Sequence, residues 1–261
     1  MAFDINNFVI DRVVRGVALS QKDDSVLFSI NQMQNVSLNC ASESTDAVDA
    51  LGTPIATFYR AKSCEFSAEN AIFDMSLMAT QLGTKKKVAA ADAKVTVPAM
   101  ESFTVDASNK YELKHTPKAA PTEIYELNGD STFGIKYAKG TAATATEFSV
   151  ADKTITLPTG LAAGTEMFVM YEYETENAVE VVNSATQFPV GCKFVMEVLG
   201  CDVCDQTNLI YAYVIFDNFK LSPDFDWSVA TDGAHPFSGK AQQDYCDKEK
   251  RLFSIVIPGD E

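Results

Sequence analysis

The sequence predicts an all-β fold, a β-sandwich or barrel core with one packed α-helix and an inserted small β-rich, Ig-like unit. Residues 26–40 alternate apolar and polar side chains almost throughout, the period of a half-buried strand. Between residues 98 and 185, short strand-like segments are separated by turn sequences such as NGD, AKG and PTGLAAG. Only one segment carries both helix-start and helix-stop residues. Many short strands with a single helix indicate a sandwich or a barrel.

The first predicted strand, residues 26–40, has one apolar face and one uncharged polar face. Exposure to solvent would explain the polar face, although Lys, Glu or Thr is more usual on a solvent-exposed face. The polar face comprises Ser29, Asn31, Asn35, Ser37 and Asn39.

The single predicted helix spans about residues 68–82. Ser67 is the expected N-cap, Gly83 stands at the usual stop position, and three lysines follow it. One broad apolar stripe is expected to face the core. Phe73 and Leu77 form a narrower patch on roughly the opposite side, for which we expect another surface.

The lengths of the predicted strands along the chain also predict the domain organisation. Residues 1–97 and 186–261 are expected to form the core that holds the helix. Residues 98–185, with their shorter strands, are expected to form an inserted β-rich surface domain.

The composition of the chain restricts the classes of function that it can have. The formal net charge of −15 opposes non-specific binding to nucleic acid and argues against a conventional DNA-binding protein. The first residues lack the pattern of a secretory signal, and no apolar run is long enough for a membrane span. We therefore expect a soluble protein made in a cytoplasm, with its six cysteines mostly as reduced thiols and disulfides as the alternative.

No motif predicts an enzyme, a cofactor or a metal site. His115 and His235 lack a neighbouring nucleophile signature, and the Cys201–Cys204 pair lacks the second ligand pair of a zinc site. Residues 233–241 miss the spacing of a phosphate-binding loop. The acid pairs Asp224 with Asp226 and Asp202 with Asp205 do not match a calcium loop.

Two segments carry a family resemblance: ESTDAVDALGTPIATFYRAKSCEFSAENAIFDMSLMATQLGT at 43–84 and FSGKAQQDYCDKEKRLFSIVIPGDE at 237–261, with predicted strands 188–221 between them. This order of features resembles the tail tube proteins of tailed bacteriophages. The resemblance implies a non-enzymatic virion protein of the tail, assembled in the host cytoplasm. Six copies would form a ring, and stacked rings would conduct viral DNA during ejection.

The resemblance also implies roles for residues and partners. The polar face of residues 26–40 is the candidate lumen wall, Phe73 and Leu77 are candidate subunit contacts, and loop 41–55 is a candidate ring-stacking element. In that loop the candidates are Asp46, Asp49, Leu51, Pro54 and Ile55. Implied partners are other copies of the chain and the terminator, tape measure and baseplate proteins, with sheath in a contractile tail; no membrane is implied.

Two alternatives remain open at this stage. One is another phage structural protein, such as a tail terminator, a baseplate component or a capsid decoration. The other is a β-sandwich carbohydrate-binding or hydrolytic module with Trp227 near a sugar site, since one fold can host many functions.

Overall fold

The computed structural model describes residues 7–231, 233–245 and 248–259. The predicted all-β class is confirmed, because these residues form seventeen strands and one helix. The strands are β1 (Phe8–Ser20), β2 (Val26–Ile30), β3 (Met33–Val48), β4 (Pro54–Asn70), β5 (Lys87–Val88), β6 (Val95–Thr104), β7 (Lys110–Glu112), β8 (Glu123–Leu127), β9 (Phe133–Lys139), β10 (Glu147–Ala151), β11 (Thr154–Thr156), β12 (Glu166–Thr175), β13 (Val179–Glu180), β14 (Gly191–Asp202), β15 (Asp205–Leu221), β16 (His235–Ala241) and β17 (Ser254–Val256). The helix α1 spans Met75–Gln81.

The chain forms two compact units. The first unit contains the chain up to Lys86 and from Val181 onward, and the second spans Lys87–Glu180. Strand β6 of the second unit already begins at Val95, inside the segment that the sequence analysis assigns to the core. The assignment of the second unit as an inserted surface domain stays a prediction.

The first unit is built on one antiparallel sheet in the order β2-β1-β14-β15-β16-β4-β3, with β17 pairing beside β15. Strands β2 and β3 lie at opposite edges of this order, yet only Asn31 and Gln32 join them. The sheet must therefore curl so that its edges approach. The single strand predicted over residues 26–40 is wrong, because the chain leaves one edge at Ile30 and starts the other at Met33.

Phenylalanines fill the space inside the curled sheet. Alternate positions of the strands point inward, and neighbouring ring centroids lie 5.3 to 6.4 Å apart, within the range of favourable aromatic pairs. The rings that are almost completely buried are Phe28, Phe66, Phe194, Phe216, Phe219 and Phe237. They give the first unit an aromatic core of its own.

The helix is shorter than the predicted span of 68–82, and its start was wrong. Residues 64–70 continue β4, where Phe66, Ala68 and Asn70 point inward and the intervening side chains point out. Pairing with β16 therefore overrides the helical pattern. The actual N-cap is Asp74, whose carboxylate accepts the backbone N–H groups of Ser76 at 2.9 Å and Leu77 at 2.7 Å.

The predicted patch of Phe73 and Leu77 on the far side of the helix does not exist. Leu77 is 0% exposed and belongs to the aromatic core of the first unit. Phe73 precedes the N-cap and lies outside the helix. The helical pattern failed here because it was extended through residues that are not helical.

The helix stops just before Gly83, the stop position that the sequence predicts, with Leu82 as its C-cap. The N–H of Thr84 donates to the carbonyl of Ala79, and the N–H of Gly83 donates to that of Thr80, which is the Schellman arrangement. Gly83 has φ +68°, and a Cβ there would overlap the backbone of Phe188. Glycine is thus required both by conformation and by space.

We expect Gly83→Ala to destabilise the first unit by about 1 to 3 kcal/mol, because it adds left-handed backbone strain to a steric overlap. Urea unfolding followed by circular dichroism measures the change. The matched control is Gly52→Ala, at φ +84° but with nothing within 4 Å of its Cβ. Equal losses for both variants would contradict the overlap with Phe188.

The second unit has a sheet in the order β6-β12-β8-β9-β10-β11-β7, in which only β9 and β10 run parallel, and a separate two-stranded pair of β5 and β13. Its core includes a buried carboxylate, Glu101, which accepts the hydroxyls of Tyr111 at 2.7 Å and Tyr171 at 2.5 Å. Burial alone would raise the pKa of Glu101. Those hydrogen bonds, with one from the backbone N–H of Lys114, outweigh burial and lower the pKa.

Candidate functional site

The most unusual surface of the first unit is a long hairpin of β3 and β4. The two strands pair from Met33 opposite Asn70 to Val48 opposite Pro54. Every residue from Ala41 to Ser63 is exposed, so this half of the hairpin extends beyond the packed sheet. The predicted ring-stacking loop of residues 41–55 is therefore mostly two paired strands, with a turn only at 49–53.

The turn at the tip is organised by Asp49. Its carboxylate accepts the backbone N–H groups of Leu51 at 2.8 Å and Thr53 at 2.9 Å. These hydrogen bonds, first that of Thr53, lower the pKa of Asp49. Asp46 accepts the hydroxyl of Thr57 at 2.7 Å across the strands. Both acids thus hold the tip in shape, and their predicted role in ring stacking stays a prediction.

This hairpin carries several apolar side chains that are exposed to solvent. Leu51 is 91% exposed and Ile55 71% exposed, and the exposed set also includes Val48, Phe58 and Tyr59. A two-stranded ribbon without a third strand or a packed face is marginally stable in water. Such a hairpin therefore favours a partner surface in the working state of the protein.

A disulfide and an irregular pairing mark the base of the hairpin. Cys40 and Cys64 lie opposite each other and are bonded, so the expectation of reduced thiols is wrong for this pair. Just beyond them, the register shifts between Ala41 and Glu43, and Ala61 adopts φ +50°. Among the cysteines that the structure describes, the free ones are Cys192, Cys201 and Cys204; Cys246 lies outside the described residues.

The predicted lumen residues are all exposed but occupy two places. Ser29 is on β2 and Asn31 in the connection after it, whereas Asn35, Ser37 and Asn39 follow β3 at the opposite edge of the sheet. The amide of Asn35 donates to Glu69 at 2.8 Å. Across β4, Ser37 lies opposite Ser67 and Asn39 opposite Glu65, so a polar surface continues beyond the predicted residues.

Three cations on the outer face of this sheet are paired with carboxylates of neighbouring strands. Three cross-strand ion pairs span it: Arg15 with Glu197 at 2.5 Å, Lys193 with Asp217 at 3.5 Å, and Lys240 with Glu65 at 2.8 Å. Sequence reasoning missed these residues, since strand pairing and not sequence spacing brings them together. The charge of each of these three cations is balanced by its carboxylate partner.

Phe73 belongs to an aromatic stack within its own unit. Its ring lies 4.6 Å from Trp227 and 5.0 Å from His235, in stacked arrangements. His235 is 0% exposed, and its Nε2 lies 2.8 Å from Oε1 of Gln81. The histidine thus links β16 to the helix. The contact of Phe73 with a neighbouring subunit stays a prediction.

We expect His235 to make the first unit less stable in acid. Burial lowers its pKa, against an opposing effect of Asp74. As the pH falls below about 6.5, the unfolded chain binds a proton before the folded chain does, so the free energy of unfolding decreases until the folded pKa is reached. Urea unfolding at pH 7.5 and 5.5 measures this loss. His235→Gln retains a donor toward Gln81 but cannot titrate, and should lose less stability over that interval; an equal loss would contradict this origin.

The weaker motifs have structural explanations. Cys201 lies near the end of β14 and Cys204 in the tight turn before β15, where Asp202 accepts the N–H of Cys204 at 2.7 Å. Residues 235–241, in the near miss to a phosphate loop, form β16. His115 stacks on Tyr173 at 3.9 Å. Within the described residues, no group of three or more histidine, cysteine or acidic side chains is arranged to hold a metal ion.

Comparison with known families shows to which family the chain belongs. The model of the YomU/Tube protein family matches residues 8–254. The chain belongs to this family. The match covers both units, including the whole hairpin, and confirms the predicted membership of the phage tail tube family. A comparison with curated proteins found no match.

Membership in the YomU/Tube family indicates a structural, non-enzymatic protein and a component of the phage tail. In the part of the chain that the structure describes, no helix has the length and apolar character needed to cross a membrane.

Proposed function

We propose that this YomU/Tube family member is the tail tube subunit, which forms six-membered rings that stack into a tube conducting viral DNA during ejection. The exposed hairpin of residues 41–63 carries this proposal. It holds apolar side chains on paired strands that the described residues of its own chain leave exposed. A partner chain that packs on it would bury those side chains and stabilise the ribbon.

Ring formation would also cover the exposed edges of the sheet. Strands β2 and β3 end the sheet of the first unit, and edge strands present unpaired backbone groups. Pairing or packing between the edges of adjacent copies would cover these groups and close the ring. The proposal places the polar outer face, with Ser37 and Asn39, toward the lumen.

The charges of that face support passage of DNA without binding. A protein surface that neutralises phosphates gains affinity by releasing counterions, and bound DNA would resist movement. Here Arg15, Lys193 and Lys240 are already paired with carboxylates. Screening limits the effect to about 8 Å at physiological salt, so it matters where the wall lies close to the duplex.

Negative-stain microscopy of the purified protein tests the proposal. We expect rings and tubes of uniform diameter, with six-fold symmetry in end-on views. Contacts in these tubes would join copies of the chain only; in the phage tail, the proposal adds terminator, tape measure and baseplate proteins as partners. A protein that stays monomeric at high concentration, or that binds glycans as a monomer, would contradict it.

A matched pair of variants sharpens this test. Replacing residues 44–59 by Asn-Gly shortens the hairpin and should abolish tubes, because the two-residue turn keeps the strands paired but removes the exposed ribbon. Replacing Asp130 and Ser131 by Asn-Gly alters an exposed turn of the second unit and should leave tubes intact. Tubes from the shortened hairpin would refute the role given to this surface.

A further inference from the structure

A cleft of about 830 Å³ lies beside the base of the hairpin. Its walls come from the irregular segment of residues 61–65 on β4 and from the chain near the end of β16. Ala241, Leu252 and Phe253 supply apolar lining, and Phe253 is fixed by packing on Phe216 at 5.8 Å. The cleft is thus a concave, partly apolar surface on a firm support.

The charge of the cleft is opposite to that of the protein as a whole. Lys62, Lys240 and Lys250 line it against one acid, Glu65, which pairs with Lys240 at 2.8 Å. The lining therefore has a net charge of +2 in a protein with a net charge of −15. An acidic partner with apolar side chains would suit it best.

The tip of the hairpin has this chemistry. Residues 43–59 contain Glu43, Asp46 and Asp49 and no lysine or arginine. Leu51 and Ile55 project there as exposed aliphatic side chains. An apolar knob surrounded by acids would fit an apolar cleft surrounded by lysines.

A hairpin tip that occupies the cleft must come from another copy of the chain. Ala41 and Val48 are seven residues apart on an extended strand, which separates the base from the tip by about 24 Å. A contact from the tip of one copy to the base of the next is head-to-tail, and such a contact repeats as an open assembly unless the rotation between copies closes it into a ring. Repeated from ring to ring, it would generate a stack.

We propose that the hairpin tip of one subunit binds the lysine-lined cleft at the hairpin base of a subunit in the adjacent ring. This inference rests on the proposed tube function and names the receptor for the predicted ring-stacking residues. It assigns Leu51 and Ile55 to the apolar lining near Phe253 and Asp46 to the lysines.

Charge reversal tests the contact. The Lys62→Glu/Lys250→Glu variant should form rings but at least tenfold fewer tubes in negative-stain images, and adding Asp46→Lys should restore part of the loss. The control, Lys110→Glu/Lys139→Glu, makes the same change in charge on exposed strands of the second unit and should form tubes as the wild type does. Thermal melting of each variant checks that it is folded. Undiminished tubes in the folded cleft variant would overturn the inference.

Cross-linking separates this inference from the proposed function. Leu51→Cys and Gln243→Cys chains, each with Cys201→Ser and Cys204→Ser, are mixed in equal amounts and oxidised, and peptides are identified by mass spectrometry. A link between positions 51 and 243 in open oligomers without rings would support the contact and contradict the ring. Rings or tubes without this link would retain the ring and overturn the contact. If the unsubstituted chain also forms no oligomers and no link appears, both proposals are overturned.

Discussion

Leu77→Ala is expected to lower the free energy of unfolding of the first unit by about 2 to 5 kcal/mol. Leu77 is completely buried against the aromatic core, where truncation leaves a cavity. Leu77→Asp should prevent folding, because an unpaired carboxylate would have to enter that core. Trp227, the single tryptophan, stacks on Phe73 near the helix, so its fluorescence in urea reports on this unit directly.

Leu51→Ala is the matched control, since it removes the same atoms from a side chain that is 91% exposed. It should change the free energy of unfolding by less than about 0.5 kcal/mol but should reduce tube formation. A large loss of stability in Leu51→Ala, or a negligible one in Leu77→Ala, would contradict the division between core and assembly surface.

Lysines on the proposed lumen wall should slow the passage of DNA. Ser37→Lys/Asn39→Lys adds two cations per subunit on an exposed part of β3, repeated around each ring. Tubes should still form. The DNA affinity of these tubes should rise at low salt and fall steeply with added salt, with a slope near −0.9 for each phosphate contacted. Fluorescence anisotropy measures the affinity, and genome release from complemented phage measures passage.

Ser102→Lys/Thr104→Lys places the same two charges on exposed positions of β6 in the second unit. These tubes should bind DNA as weakly as the wild type and release genomes at the normal rate. If both double variants bind DNA equally, or neither does, then the face with Ser37 and Asn39 does not line the lumen.

Much of the fold could be predicted from local pattern, but the pairing of distant strands could not. The alternation of 26–40 correctly indicated strand, yet nothing local shows that the chain crosses from one sheet edge to the other at Asn31 and Gln32. The segment CEFSAEN was assigned in part to the helix because Ser67 resembles an N-cap. Its pairing with β16, which lies some 170 residues away in the sequence, makes it strand instead.

At the candidate site, the sequence indicated which residue types were involved, but it did not indicate where the structure places them. Leu51 and Ile55 were placed in a loop because serines and acids dominate residues 41–50, whereas the structure pairs residues 41–48 with residues 54–63. The predicted subunit contact of Leu77 is wrong, because the helical pattern was extended through residues 68–74, which precede the helix. The disulfide of Cys40 and Cys64 depends on a cross-strand register that spacing alone does not reveal.

The order of strands in the first sheet has a consequence for synthesis on the ribosome. The early hairpins β1-β2 and β3-β4 are separated in the sheet by β14, β15 and β16, which are translated last. The second unit, residues 87–180, is contiguous and can fold as soon as it emerges, whereas the first must wait with its aromatic side chains unpaired. A nascent chain arrested after residue 185 should therefore carry one folded unit and two unjoined hairpins, the stage at which chaperones would be needed most.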